Sequence, residues 1–320
     1  MDGTWKKYGS VTELPPYLWD QTVARGEVAL DSRLVRAAER VFSDAWFEYW
    51  IRERDGNVSA LVLWMIEENT ASTGTPETTG LHFWFDESVL GKDAFLEEAA
   101  ALCGETIPTI VFRDFIGENT VEWQALFQKK GYEREQALDL SVLSVPEHIR
   151  TLEEYPSVLN SKHRYRWNQY RAAIDPNLYE VETVTDFLPL LDKLYPLYVE
   201  VSERSEEYEA KPYSKDYFRI VKEEFGDDAA AVVIREKSTG QYLGFMLLLY
   251  GHGSCVHQYI GFHKREELFL WHNLTIESIG DAIRRGIRRI NMGVTHATAK
   301  RKFGAVNQNV FIFTHKRTNE

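Results

Sequence analysis

The chain has 320 residues, of which 44% are hydrophobic, so it is long enough to form two ordinary domains, each with its own core. Its formal net charge of −12 argues against a protein that binds long stretches of DNA. The two cysteines, Cys103 and Cys255, lie far apart and indicate neither a disulfide framework nor a zinc site. Residues 1–7 lack the apolar core of a signal peptide, and no apolar run reaches the ~18 residues of a membrane span. We therefore expect a cytoplasmic protein.

The first half of the chain predicts an antiparallel meander followed by alternating helices and strands. A hairpin is predicted from strands at 46–50 and 58–66 around the turn Arg54–Asn57, where Asp55 and Gly56 favour a tight turn. A polar loop rich in Thr and Gly follows at 72–80. The remaining predicted elements are a strand at 81–85, a helix at 88–102, a strand at 109–112, a helix at 121–130 and a strand at 137–145.

The second half repeats this order of elements without repeating the sequence. Helices are predicted at 187–202 and 215–224, strands at 229–235, 242–250 and 254–261, a long helix at 267–285 and a strand at 290–294. No low-complexity linker separates the halves, and the junction lies near Pro146. The sequence therefore predicts two domains, residues 1–147 and 148–320, of which the second carries the active site.

The long helix ends in a clear stop signal and leads to a basic segment. Gly286 suits a left-handed cap, and Ile287 is the hydrophobic residue that such a cap packs back onto its helix. From residue 284 to 320 the chain has nine basic residues and a single acidic one, in contrast to its acidic total. Lys300, Arg301 and Lys302 precede Gly304, and their mutual repulsion favours binding of an anion, although ordinary solvated lysines are the alternative.

Three stretches resemble one enzyme family. Residues 152–166 are similar to the basic helix that opens the second domain of the FemABX-like aminoacyltransferases, and residues 127–132 are similar to the turn that closes their first domain. Residues 299–304 are similar to the family's Lys-x-x-Phe-Gly ending. The family, which includes relatives described for peptidoglycan or "peptidogalycan" synthesis, belongs to the GNAT acyltransferase superfamily. The resemblance implies an α+β fold of two tandem GNAT-like domains, each a mostly antiparallel mixed sheet flanked by helices.

What the resemblance implies chemically is transfer of an acyl or aminoacyl group from an activated ester to an amine. Aminolysis needs positioning, a base and stabilisation of an oxyanion, so we expect no metal and no cofactor. Lys300 matches the family's lysine and is the candidate for holding a donor phosphate or the oxyanion. Lys302 and Gly304 are candidates for substrate binding in the same loop. Arg164 and Arg166 are candidates for binding acceptor carboxylates or phosphates, with a solvated helix face as the alternative.

Two further pairs of residues are candidates. His257 and Tyr259 are two positions apart in a predicted strand, so they should share a face, project together into a cleft and relay a proton. The alternative is a hydrogen-bonded core histidine beside an aromatic neighbour. Arg113 and Asp114 follow the predicted strand at 109–112, an edge where ligands bind in open sheets, and a local ion pair is the alternative there.

The donor remains open between two classes. The glycine-rich loop with which GNAT enzymes hold the pyrophosphate of acyl-CoA is missing, and Glu266 and Glu267 stand in the first turn of the long helix instead. This favours the acceptor end of an aminoacyl-tRNA as donor and a small soluble amine as acceptor, either a cell-wall precursor or a specialised metabolite. An acyl-CoA-dependent N-acyltransferase is the first alternative, and a non-catalytic GNAT-like binding module is the second.

Overall fold

The computed structural model describes residues 3–117, 120–205 and 212–317, which form two compact units. The first unit comprises Met1–Leu138 and Gln308–Glu320, and the second comprises Asp139–Asn307. The boundary between the units therefore lies at 138/139 rather than at the predicted 147/148, and the C-terminal segment belongs to the first unit instead of the second. The reason is sheet pairing, because Leu140–Ser144 pairs with a strand of the second unit and Val310–Lys316 pairs with two strands of the first.

The first unit contains a mixed sheet and, within the described residues, three α-helices. Its strands are β1 (Thr4–Tyr8), β2 (Trp46–Arg54), β3 (Asn57–Glu67), β4 (Thr70–Thr73), β5 (Phe83–Phe85), β6 (Thr109–Ile116), β7 (Glu133–Gln136) and the C-terminal β15 (Val310–Lys316), and its helices are α1 (Ser32–Val41), α2 (Lys92–Leu102) and α3 (Thr120–Lys129). The strand order is β1-β2-β3-β4-β6-β15-β7, with β5 also paired to β3. The predicted hairpin turn is confirmed, since Asp55 and Gly56 both have positive φ.

The second unit is built on a seven-stranded sheet. Its elements are β8 (Leu140–Ser144), α4 (Ser161–Ala172), β9 (Tyr179–Val184), α5 (Leu191–Glu203), α6 (Lys215–Phe225), β10 (Ala229–Glu236), β11 (Tyr242–Gly251), β12 (Ser254–Phe262), α7 (Leu270–Arg284), β13 (Arg289–Asn291), α8 (Ala297–Lys300) and β14 (Val306–Gln308). The strand order is β14-β8-β13-β12-β11-β10-β9. The pair β12–β13 is parallel, whereas the β9–β10, β10–β11, β11–β12 and β13–β8 pairs are antiparallel.

Helices cover both faces of this second sheet. Side chains of α4 and α7 share one hydrophobic core with β10, β11 and β13. On the opposite face, α5 approaches β12 so closely that a Cβ built on Gly261 would lie 2.4 Å from the backbone nitrogen of Tyr198. Glycine at this position is therefore what allows helix and strand to pack together.

Helix α7 follows the sequence prediction at its C-terminus but not at its N-terminus. Gly286 has φ +73°, and the Ile287 amide donates to the Ala282 carbonyl at 2.8 Å, which confirms the predicted cap. The helix begins at Leu270 rather than near 267, because Phe269 has φ +46° and residues 266–268 form a separate 3-10 turn. The Asn273 side chain stabilises this break by donating to the Leu268 carbonyl at 3.0 Å.

The predicted fold class is confirmed, since both units are mixed α+β structures with helices packed on their sheets. The predictions missed α1 and the strands β1, β4, β7, β9, β14 and β15, of which β1, β7, β9 and β14 are edge strands. Within residues 3–117, 120–205 and 212–317, none of the helices has the length and apolar character needed to cross a membrane.

Candidate functional site

Strand β12 contains a β-bulge at Gln258. His257 lies opposite Leu248 and Tyr259 lies opposite Leu247, so Gln258 is one extra residue between two consecutive residues of β11. A bulge shifts the alternation of side chains by one position. His257 accordingly faces α7, whereas Tyr259 faces α5 and α6. The prediction that His257 and Tyr259 share a face is therefore wrong, because their spacing assumed an unbroken strand.

His257 is a partly buried, neutral imidazole on the α7 face. Its Nε2 atom lies 3.0 Å from the Ser278 hydroxyl oxygen. Burial and, to a smaller extent, the positive charge of Lys300 together lower the pKa of His257 from 6.5 to about 3. The ring is therefore uncharged at neutral pH and has one lone pair with which to accept a proton.

Lys300 lies beside His257 at the point where two strands part. The parallel pairing of β12 and β13 ends at Val256 and Asn291. Beyond it, a Cβ built on Gly293 would lie 3.7 Å from Lys300 Nζ and 3.9 Å from the His257 carbonyl oxygen. Only 5% of Lys300 is exposed, so its ammonium group is largely withdrawn from solvent. A buried cation beside a neutral histidine at a strand separation can attract an anion or stabilise a developing negative charge.

Phe303, the aromatic residue of the Lys-x-x-Phe-Gly segment, anchors the backbone that carries Lys300. Phe303 is almost fully buried and packs against Trp167 and Trp271, with ring centroids 6.0 and 5.6 Å away. The Phe303 carbonyl accepts a hydrogen bond of 2.7 Å from the Tyr155 hydroxyl. Gly304 has φ +91° and ends the turn that follows α8, a conformation that favours glycine. Gly304, a predicted substrate-binding residue, thus shapes the backbone that carries Lys300.

Arg166 and Lys302 form a second basic region near the start of α7. Burial and, to a smaller extent, the charges of Lys302 and Arg166 together lower the pKa of His272 to about 4, so both cations act on that ring. The His272 ring stacks on Tyr170 with centroids 3.9 Å apart. No side chain caps the N-terminus of α7, where backbone amides and the helix dipole favour an anion. The charges of these two predicted residues therefore act on the same histidine.

Arg164 lies in the predicted basic helix and hydrogen-bonds to the backbone that precedes it. Its Nε donates to the Pro156 carbonyl at 3.1 Å and its Nη2 donates to the Leu159 carbonyl at 3.0 Å. These bonds tie the first turn of α4 to the 3-10 turn before it. The guanidinium group therefore supports the local backbone, although its exposed edge remains open to solvent.

Tyr259 belongs to a group of aromatic side chains on the opposite face of β12. Its ring contacts those of Tyr198, Tyr217 and Tyr213, with centroids 5.2, 5.4 and 5.7 Å away. The Gln258 side chain donates to the Tyr217 hydroxyl at 2.9 Å. The sequence predictions missed this group, because its members come from a loop, two helices and a strand that only the fold brings together.

The first unit has a longer interruption than β12 at the corresponding position of its sheet. In the second unit, β12 pairs in parallel with β13, and its antiparallel pairing with β11 is interrupted. In the first unit, β4 pairs in parallel with β6, and the antiparallel pairing of β4 and β5 with β3 is interrupted between these two strands. In the second unit the interruption is one residue, whereas in the first it is the segment 74–82 between β4 and β5. The Gly80 amide donates to the Asp114 carboxylate at 3.4 Å and so links this segment to β6. In the first unit, the segment 74–82 thus lies at the point where β4 and β6 separate.

This segment is held by buried polar contacts. Thr78 Oγ1 and His82 Nε2 lie 2.5 Å apart, and burial lowers the pKa of His82 to about 3. Arg113 and Asp114 are both predicted to bind substrate, with a local ion pair as the alternative role. The structure shows this ion pair, with 3.6 Å between Arg113 Nε and Asp114 Oδ1. Burial raises the pKa of Asp114, which the nearby Arg113 partly offsets. We therefore locate the candidate site in the second unit.

Comparison with known proteins supports this location. Residues 159–301, all within the second unit, match the family model described as an acetyltransferase (GNAT) domain. No curated protein sequence matches the chain.

Several solved structures share the fold of the whole chain. A tandem GNAT protein from the clavulanic acid biosynthesis pathway has a TM-score of 0.62 at 12% identity and covers 99% of this chain and 100% of its own. FemX has a TM-score of 0.60 at 11% identity, covering 88% of this chain and 90% of its own. L-PGS from Bacillus licheniformis has a TM-score of 0.57 at 14% identity, covering 93% and 92%. At these identities the likeness concerns the fold, and it gives this chain two GNAT-like domains.

Proposed function

We propose that this protein, whose residues 159–301 match the model of a GNAT acetyltransferase domain, is an acyltransferase that passes an aminoacyl group from aminoacyl-tRNA to the amine of a small acceptor. The observation that carries the proposal is the buried Lys300 ammonium beside neutral His257, where β12 and β13 separate. Both residues lie within the matched region or its edge, and both come from the sequence predictions.

The two side chains suit the two demands of ester aminolysis. The acceptor nitrogen forms a bond to the ester carbonyl carbon, and His257 takes the proton that this nitrogen loses. The carbonyl oxygen becomes negatively charged in the tetrahedral intermediate, and Lys300 stabilises it. When the carbon–oxygen bond of the ester breaks, the leaving hydroxyl of the donor regains a proton from His257. Proton and charge therefore balance without a covalent enzyme intermediate.

The start of α7 supports a tRNA donor over acyl-CoA. Glu266 and Glu267 are exposed in the 3-10 turn ahead of this helix, where they repel a closely bound pyrophosphate. Arg166 and Lys302 lie near the same helix end and can pair with the more widely spaced phosphates of an RNA strand. The resemblance to FemABX-like aminoacyltransferases implies the same donor. The small extent of this basic region suits the acceptor end of tRNA alone.

The test is transfer of radiolabelled amino acid from bulk aminoacyl-tRNA to a pool of small amines, with and without prior RNase treatment. We expect RNase-sensitive transfer that Lys300→Met lowers by about 10²-fold or more, because one electrostatic stabiliser of an oxyanion contributes that much. Lys237→Met is the matched control, since Lys237 is an exposed lysine in the turn between β10 and β11.

Three outcomes contradict the proposal. RNase-resistant transfer that requires acetyl-CoA would establish the acyl-CoA alternative instead. Full activity of folded Lys300→Met would remove Lys300 from the mechanism. Absence of transfer from either donor, in protein that binds amines or nucleotides, would support a non-catalytic binding module.

A further inference from the structure

Ser278 is a buried residue of α7 that no sequence pattern singled out. It has no exposed surface, and its hydroxyl oxygen has two neighbours. One is the backbone carbonyl of Thr275 at 2.7 Å, and the other is His257 Nε2 at 3.0 Å. Both distances are ordinary for hydrogen bonds, so the hydroxyl serves both groups at once.

The protons of these two bonds can be assigned from chemistry alone. A carbonyl oxygen only accepts, so the single hydroxyl proton of Ser278 points toward Thr275. The Ser278 oxygen is then the acceptor of the second bond, and His257 Nε2 must supply the proton. A neutral imidazole has only one N–H, so the lone pair lies on Nδ1. Within the described ranges, no side chain or backbone group is hydrogen-bonded to that Nδ1.

We infer that Ser278 is a positioning residue that holds His257 in the Nε2-protonated tautomer, so that Nδ1 is the atom that accepts the proton of the acceptor amine. The inference rests on the proposed function only for its catalytic consequence. The tautomer itself follows from the hydrogen bonds. The low pKa of His257 agrees with it, because a neutral ring is the only form for which a tautomer is defined.

The same helix offers a matched control one turn earlier. Thr275 is also fully buried, and its hydroxyl donates to the Trp271 carbonyl at 2.9 Å. This bond is of the same kind as the one from Ser278 to Thr275, but the Thr275 hydroxyl has no hydrogen bond to the His257 ring. Thr275→Val therefore removes a comparable hydroxyl without disturbing the tautomer.

The experiment is long-range ¹H–¹⁵N correlation spectroscopy of histidine-labelled protein, with His257→Gln identifying the resonances of that ring. We expect the Nε2–H pattern in the wild type and in Thr275→Val. Ser278→Ala should give a mixture of tautomers, and Ser278→Thr should restore a single one, because threonine retains the hydroxyl. Turnover of Ser278→Ala should fall about tenfold in kcat with little change in KM, a part of the 10²–10⁴-fold that a positioned base contributes.

The outcomes separate this inference from the proposed function. An Nδ1–H pattern in the wild type overturns the tautomer assignment, whatever the activity. Unchanged tautomer and unchanged kcat in Ser278→Ala overturn the positioning role. Full turnover in His257→Gln overturns the base in the proposed function, and the catalytic role of Ser278 with it, while the spectroscopic assignment in the wild type stands.

Discussion

Lys300 and Lys302 stand two residues apart, yet they act on different histidines, and this arrangement allows a sharp test of the site. The charge of Lys300 lowers the pKa of His257, and the charge of Lys302 lowers the pKa of His272. Replacing either lysine by methionine removes the charge and keeps a side chain of similar length. We expect Lys300→Met to raise the pKa of His257 alone and Lys302→Met to raise the pKa of His272 alone.

The expected size of the change in the His257 pKa follows from the relative size of the two effects that lower this pKa. Burial is the larger reason for the displacement of the His257 pKa from 6.5 to about 3, and Lys300 is the smaller one. Removing the charge should therefore recover less than half of that interval. We expect an increase of about 1 pKa unit, equivalent to ~1.4 kcal/mol of interaction between the two groups.

The assay is an NMR pH titration of the histidine ring resonances from pH 8 down to the lowest pH at which the protein stays folded. The reasoning is refuted if Lys300→Met leaves the titration of His257 unchanged. It is equally refuted if Lys302→Met moves His257 as much as Lys300→Met does, since that would mean a general change in charge rather than a local contact.

Two further predictions concern stability. Gly261→Ala should lower the free energy of unfolding by about 1–3 kcal/mol, because its Cβ would lie 2.4 Å from the Tyr198 backbone nitrogen, whereas Gly91→Ala, with open space around it, should have a small effect in the same thermal unfolding assay. An unchanged melting temperature for Gly261→Ala would contradict the close packing of α5 on β12. Acidification from pH 6.5 to 5 should also destabilise the protein, because His82, His257 and His272 have folded-state pKa values of about 3, 3 and 4, below their ordinary value. Their contribution is complete above pH 6.5 and is lost as the pH falls, by up to ~1.4 kcal/mol per pH unit for each, and a flat profile in urea unfolding would contradict it.

Local signals in the chain predicted the elements that local interactions hold. The turn at Asp55 and Gly56 and the cap at Gly286 depend on backbone conformations that neighbouring residues specify. The hydrophobic period of α7 predicts this helix, although not its first residue, because Phe269 takes a left-handed conformation that the Asn273 side chain stabilises. The Lys-x-x-Phe-Gly segment belongs to the same class, since Gly304 and Phe303 shape the turn that carries Lys300.

Pairing between strands that are distant in the sequence determined the features that the sequence did not predict. The extra residue in β12 is visible only against its partner β11, and it moved Tyr259 to the face opposite His257. The same kind of pairing assigned β15 to the first unit, and the packing of α7 on the sheet brought Ser278 to His257. The sequence by itself thus determined the turn at Asp55 and Gly56, the C-terminal cap of α7 and most of the central strands, and it proposed the lysine of the candidate site. Only the tertiary structure decided which side chains meet there, because register and face depend on residues far apart in the chain.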